Sequence, residues 1–255
     1  MSASTAAAIW HDVECGSYEA DLPLWEELAE RCDGPVLELG CGTGRVALHL
    51  ARRGHRVIGL DRDPDLLAAL QQRASDFRPT GVGSQSDATA DLVQPLLADA
   101  RRFALDSPAS LVLAPTHLLQ LLAGPAERAE ALCCIAAALR PGGILAAAII
   151  EAMPAADGAP PPLPDVREVG GWVYSSLAVE AAVGPGEIVV RRLRQTVSPE
   201  GSLSEEPNEV RIVTFSAETL EAEAADVGLL PAGRRAIPPT SMHEGSLVVL
   251  LEREP

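Results

Sequence analysis

Val36-Leu37-Glu38-Leu39-Gly40-Cys41-Gly42-Thr43-Gly44-Arg45-Val46-Ala47-Leu48 reads as an apolar strand, a glycine-rich turn and an amphipathic helix. Glycine lets the backbone turn this tightly and approach a ligand closely, and the helix start leaves amide groups pointing at the same spot. A second apolar run, Val57-Ile58-Gly59-Leu60, ends on Asp61, seventeen residues after Gly44. A carboxylate at that place can accept hydrogen bonds from both hydroxyls of a ribose, which implies an adenosine-type ligand. Nicotinamide enzymes normally carry GxGxxG; the pattern here is ExGxGxG, with Glu38 ahead of the glycines.

Outward from this stretch, short apolar runs alternate with amphipathic segments, the signature of βαβ units around a parallel sheet. Helices are expected over Asp21–Arg31, Arg45–Arg53, Pro64–Ser75, His117–Leu122 and Pro125–Leu139. Strands are expected over Pro35–Leu39, Arg56–Leu60, Leu92–Ala98, Ser110–Leu113 and Ile144–Ile150, and their apolar runs suit strands covered on both faces. Pro79–Ala90 is polar and Gly- and Ser-rich, so it reads as a mobile loop; the prolines of Pro154–Pro164 mark a boundary. Beyond it, Trp172–Val179, Glu187–Val197 and Val210–Phe215 alternate apolar with polar residues and form an expected antiparallel meander. Ala217–Val227 then reads as a helix and Ser246–Glu252 as a final strand.

The 255 residues suffice for one large α/β domain, and the longest apolar runs fall far short of the ~20 residues that cross a bilayer. Without a basic n-region or a long apolar h-region at its start, the chain is expected in the cytoplasm. A net charge of -16 repels a phosphate backbone, so neither nucleic acid nor membrane is an expected partner. The five cysteines follow no ligand spacing, so no metal is expected, and Cys133 and Cys134 read as packing residues.

The run VLELGCGTGRVALHLARRGHRVIGLDRDPDLL resembles the first two motifs of class I S-adenosylmethionine-dependent methyltransferases, specifically small-molecule enzymes of the glycine N-methyltransferase-like group. LLADARRF, SLVLAPTHLLQLL and LRPGGILA follow in the family's order. The resemblance implies an α/β fold: a doubly wound, Rossmann-like seven-stranded methyltransferase sheet with an antiparallel β insertion after the fifth strand. It divides the chain into entry helices (1–33), a cofactor-binding core (34–164), a β cap (165–215) and a C-terminal helix and strand (216–255).

The resemblance also implies roles. Gly40, Cys41, Gly42 and Gly44 form the loop beneath the methionine part of the cofactor. Glu38 reaches toward the methionine ammonium, Asp61 holds the ribose and Arg62 flanks the adenine. Asp99 and Ala100 read the adenine edge, while Pro115 and Thr116 line the wall beside the sulfonium. Tyr18 contacts cofactor from the entry segment, in which Trp10 and Trp25 read as packing residues. His117 is the histidine best placed to act on an acceptor, against the alternative that it starts a helix and faces solvent. His243 reads as a solvated loop histidine. One face of the Arg191-Arg192-Leu193-Arg194 run could meet an acidic acceptor, though local charge pairing explains it more cheaply.

The implied activity is methyl transfer from S-adenosylmethionine to a small molecule, giving S-adenosylhomocysteine, in a monomer or homodimer. The alternative is a protein that keeps the cofactor pocket in a binding or cyclase-like role and transfers nothing.

Overall fold

A computed structural model describes residues 3–76, 89–151, 163–240 and 243–255. The first half contains α1 (Ala3–Cys15), α2 (Leu22–Glu30), β1 (Val36–Leu39), α3 (Arg45–Ala51), β2 (Val57–Asp61), α4 (Pro64–Asp76), α5 (Thr89–Leu92), β3 (Val93–Leu97) and β4 (Ala109–Ala114). After a 3-10 turn (Leu118–Gln120) come α6 (Pro125–Ala138), β5 (Leu139–Ile149), β6 (Asp165–Val169), β7 (Trp172–Gly184), β8 (Glu187–Val197), β9 (Leu203–Val213), α7 (Ala217–Ala225), β10 (Leu229–Ile237) and β11 (Ser246–Arg253).

Seven strands pair in the order β10-β11-β5-β4-β1-β2-β3. Neighbours from β3 to β5 run parallel, whereas β11 runs antiparallel to both β5 and β10. This is the doubly wound, Rossmann-like sheet expected from the sequence. Helices cover both faces, so every residue of β1 and β4 is buried. Val36, Leu111 and Val248 pack with α2, α3 and α4 on one face; Leu37, Val112 and Val249 pack with α6 and α7 on the other. The insertion after β5 forms a separate antiparallel sheet, β6-β7-β8-β9.

Three buried polar contacts join segments distant in sequence. Gln120 donates to the carbonyls of Ile150 (2.8 Å) and Val213 (3.0 Å) and accepts from the Ile150 amide (2.7 Å), tying the end of β5 to the end of β9. Arg128 forks onto Glu223 at 2.5 and 2.7 Å and lies 4.0 Å from the Phe215 ring, locking α6 to α7. Asp21 takes both arms of Arg45, at 2.6 and 2.7 Å, and the Trp25 indole at 2.7 Å. Trp25 is fully buried there.

Several local expectations change. β10 contains Pro231 and Gly233, which argue against a strand interior, yet it is an edge strand with a register shift between those two residues. β6 is a second strand without sequence warning. Only a short 3-10 turn stands where a helix over His117–Leu122 was expected, and β5 begins at Leu139, running through the Pro-Gly-Gly turn. Cys133 is exposed rather than packed, because α6 turns that side of the helix to solvent, while Cys134 is half-buried. The expected loop (79–90) and boundary (154–164) fall mostly on 77–88 and 152–162, outside the described residues.

Asp21→Ala would leave the Arg45 guanidinium buried without its carboxylate. Breaking such a pair costs about 3–5 kcal/mol, which chemical denaturation should read directly; a loss below about 1 kcal/mol, the scale of exposed pairs, would show that the clasp does not hold α2 to α3.

Candidate functional site

A cleft of about 770 Å³ opens at the carboxyl edge of the parallel strands, where open α/β sheets bind ligands. Gly40, Asp61, Ala98 and Thr116, at the ends of β1, β2, β3 and β4, border it. Facing them are His11, Glu14 and Cys15 of α1, and Val190, Arg192, Val210 and Ile212 of β8 and β9.

The glycine loop is held by Asp61. The Gly42 amide donates to Oδ2 and the Asp63 amide to Oδ1, each at 2.9 Å. Each oxygen keeps a second acceptor site, so the carboxylate is oriented with capacity left for a ligand's hydroxyls. Gly40 (φ +64°) and Gly42 (φ +53°) need the left-handed region. A Cβ on Gly40 would come within 2.6 Å of Leu118 Cδ1, and one on Gly42 within 2.1 Å of His11 Nε2. Gly44 (φ +94°) shares the need for the left-handed region, and Leu70 of α4 also occupies the space of its missing side chain. Cys41 turns its thiol into the core and burial pushes that thiol's pKa up, so any part it has at the cleft falls to its backbone.

Glu38 is buried, and burial pushes its carboxyl up to about 8. Its Oε2 has no hydrogen-bond partner among the described residues. A buried orphan acceptor beside the glycine loop suits a cationic ammonium, directly or through water, which is what the methionine end of S-adenosylmethionine would bring.

At the other end, Asp99 and Ala100 line the cleft, as does the exposed Arg62. Asp99 is already engaged: Arg101 donates from Nε (2.9 Å) and Nη2 (2.6 Å), holding the carboxyl down to about 2. Pro115 is buried and does not border the cleft. Thr116 (φ +48°) and His117 (φ +63°) are consecutive left-handed non-glycine residues, a costly bend of the kind found at functional sites, and both side chains reach the cleft.

Neither a solvated His117 nor one titrating near neutrality fits its surroundings. Burial lowers it to about 4, its Nδ1 has no partner, and the Ala148 carbonyl is its one hydrogen-bonding influence among the described residues. His243 also departs from expectation: half-buried, it packs edge-on against Tyr18 at 4.8 Å in the cleft wall. Tyr18 in turn lies under the Arg45 guanidinium at 5.1 Å.

His11, Glu14 and Cys15 of α1 and Val190, Val210 and Ile212 of the cap went unread in the sequence, although the arginine run of β8 reads there as able to meet an acceptor. His11, Glu14 and Cys15 stand at i, i+3 and i+4, the spacing that puts side chains on one helix face, and that period was the available signal. Asp12, on an adjacent face, accepts from Thr43 Oγ1 (2.7 Å) and from Arg73 (2.9 and 2.5 Å), clamping α1 to the glycine loop and α4. Glu14 is forked by Arg194 at 2.8 and 2.8 Å and accepts from Ser176 at 2.8 Å, which ties α1 to the cap. Among the described residues, no cluster of three or more His, Cys, Asp or Glu is arranged to hold a metal ion, and no helix is long and apolar enough to cross a membrane.

Residues 36–143, less than half of the chain, match the family model of a methyltransferase domain. The curated "Putative methyltransferase YqeM" of Bacillus subtilis (strain 168) is 36% identical over 55 residues, 22% of either protein. "Uncharacterized RNA methyltransferase SYNW1228" of Parasynechococcus marenigrum (strain WH8102) is 33% identical over 88 residues, 33% of this chain and 18% of that protein. The matched stretches thus span about a fifth of these relatives' lengths. Solved structures match along the whole chain. The CcbJ methyltransferase from Streptomyces caelestis superposes with a TM-score of 0.67 at 21% identity, covering 94% of this chain and 92% of that one. CalS10 with bound S-adenosylmethionine, an amino pentose methyltransferase from Micromonospora echinaspora, superposes at 0.66 with 18% identity and 96% coverage of each. The likeness to these two is one of fold.

Two pH dependences follow. His117 protonates more readily unfolded than folded, so its contribution to stability is complete above about pH 6.5 and falls away toward pH 4, by about 3 kcal/mol in all; denaturant titrations across that window should show the loss, and His117→Gln should flatten it. Glu38 behaves oppositely, because its folded pKa is raised: stability is lost as pH climbs from 4.5 toward 8. Glu38→Gln should therefore stabilise the ligand-free protein at pH 8 while weakening S-adenosylmethionine binding, measured by denaturation and calorimetry; tighter or unchanged binding would contradict a role for Glu38 at the ammonium.

Proposed function

We propose that the chain, whose residues 36–143 match a methyltransferase domain, moves a methyl group from S-adenosylmethionine to a small-molecule acceptor. The observation that carries this reading is Asp61, oriented by the Gly42 and Asp63 amides at the cleft floor, with the orphaned acid of Glu38 on the neighbouring strand β1. The likeness of fold to an amino pentose methyltransferase supports a small acceptor. So does a cleft of about 770 Å³ that donor and acceptor must share.

When bound, S-adenosylmethionine supplies a sulfonium methyl carbon open to in-line displacement, and S-adenosylhomocysteine is left. The chain's part is largely positioning. Asp61 accepts from the ribose hydroxyls, Glu38 takes the ammonium, and Ala100 with Arg62 borders the adenine. Asp99 can accept from the adenine amino group only by sharing its carboxylate with Arg101. Gly40 admits the methionine part close to the backbone, and Thr116 and His117 form the wall beside the reacting carbon. His117, neutral above about pH 4, is too weak a base to deprotonate an ammonium unaided. α1 and the β8–β9 face exclude water and shape the acceptor side.

We read the setting as cytoplasmic and the acceptor as neither nucleic acid nor membrane, since the net charge of -16 opposes a polyphosphate. The relative named as an RNA methyltransferase is matched over only 88 residues, too short a stretch to bring its acceptor along.

Asp61→Ala is expected to weaken S-adenosylmethionine binding by about 1–3 kcal/mol, the scale of charge-assisted hydrogen bonds. Calorimetry measures it, and unchanged affinity would refute the assignment of the ribose site. A screen of small acceptors read by S-adenosylhomocysteine release tests the activity; cofactor binding with no release from any acceptor would favour a role without methyl transfer.

A further inference from the structure

Strand β8 carries three arginines with different fates. Arg191 is spent on the outer face, on Glu180 at 2.5 Å and Glu209 at 3.0 Å. Arg194 is forked onto Glu14 and lies 5.1 Å from the Trp10 ring. Arg192 differs from both. It lines the cleft, and only its Nη1 has partners among the described residues, Asp165 at 3.2 Å and Ser176 at 3.4 Å. Nε and Nη2, two donors of a rigid planar fork, are uncommitted. The other cleft residues of this sheet are Val190, Val210 and Ile212, which offer them nothing polar. The carboxylate of Glu14, close by, is already taken by Arg194.

A guanidinium with open donors, set in an apolar row and steadied from one side by Asp165, is suited to an oxygen anion that accepts two parallel hydrogen bonds. We propose that Arg192 seats a compact anionic oxygen group of the acceptor, a carboxylate or a phosphoryl group, while the acceptor's apolar body lies along Val190, Val210 and Ile212. This rests on reading the cleft as a methyl-transfer site, with the donor at Asp61 and the acceptor against the cap. Arg192 thereby selects the substrate and takes no part in bond making.

The full chain, saturated with S-adenosylhomocysteine, is titrated calorimetrically with phenylacetate, phenyl phosphate and neutral phenylacetamide. At least one anion should bind about tenfold more tightly than the amide, the scale of a charge-assisted hydrogen bond, and which anion does so tells carboxylate from phosphoryl recognition. Arg192→Met should abolish that preference while S-adenosylhomocysteine affinity stays within about twofold, the scatter expected for a distant site, and Arg192→Lys should retain part of it. Asp165→Asn should do the reverse and tighten the anions, because it removes the carboxylate charge that competes with them for the guanidinium; a purely structural role for the pair predicts no gain. Equal binding of anions and amide, or an unaltered preference in Arg192→Met, overturns the proposal. Should Arg192→Met fail to fold, Asp165→Asn decides alone, and unchanged or weaker anion binding overturns it. S-adenosylhomocysteine affinity is read before any probe is added, so its absence defeats the methyl-transfer reading and is distinguished from a failure of the anion seat.

Discussion

The Gly42 amide donating to Asp61 at 2.9 Å is the contact from which the functional end of the molecule is built. It joins the turn after β1 to the end of β2, fixing the curvature of the loop and the orientation of the carboxylate together. Neither can be relaxed alone. A side chain at residue 42 would be strained at φ +53° and would collide with His11, so glycine is demanded by conformation and by crowding at once. Because the loop is bare there, α1 can lie close against it. Thr43 then shares its hydroxyl with Asp12, and Arg73 closes the clamp from α4.

α1 is accordingly a second link between the two sheets, beside the Gln120 tie of β5 to β9. Its polar side holds the glycine loop through Asp12 and the cap through Glu14. Its apolar side, Ile9, Trp10 and Val13, packs on Tyr174 of β7, with the Trp10 and Tyr174 rings edge-on at 5.4 Å. That apolar cluster is small beside the two that sandwich the seven-stranded sheet. Burial of apolar area contributes most of the stability of such contacts, so α1 and the cap rest on a weaker foundation than the core and lean on charged hydrogen bonds. Those ion pairs hold best where they are shielded, as at Asp12, only 7% exposed, and least where both partners face water.

The legibility of the sequence follows the same division. β1, the glycine loop, α3 and Asp61 lie within one short stretch, and their roles depend on backbone geometry and local spacing, which sequence states directly. Glu38 could be named as a site residue, but its raised pKa could not, since that depends on what surrounds it. The same holds for His117, whose neutrality comes from burial beneath elements far along the chain, and for His243, whose place in the cleft wall is set by Tyr18 more than two hundred residues earlier. β10 was hidden for another reason: its proline and glycine are tolerated only because it is an edge strand with a bulge, and edge position is a property of the assembled sheet.

On the proposed reading, the donor and acceptor sides of the cleft therefore differ in how they are encoded. The donor side comes from consecutive strand ends of one sheet, a geometry the fold supplies to any chain that adopts it. The acceptor side is assembled from α1, from one face of β8 and β9, and from the segment before β11, none of which is tied to the others by the glycine motif. Each of these can change without disturbing Asp61 or the loop, provided the clamps at Asp12 and Glu14 survive. A single guanidinium such as Arg192 can then set what the cleft accepts, because its neighbours are apolar and its own strand holds the two other arginines in fixed pairs. On that reading, donor chemistry is constrained by the backbone, and acceptor choice rests on a few side chains of the cap.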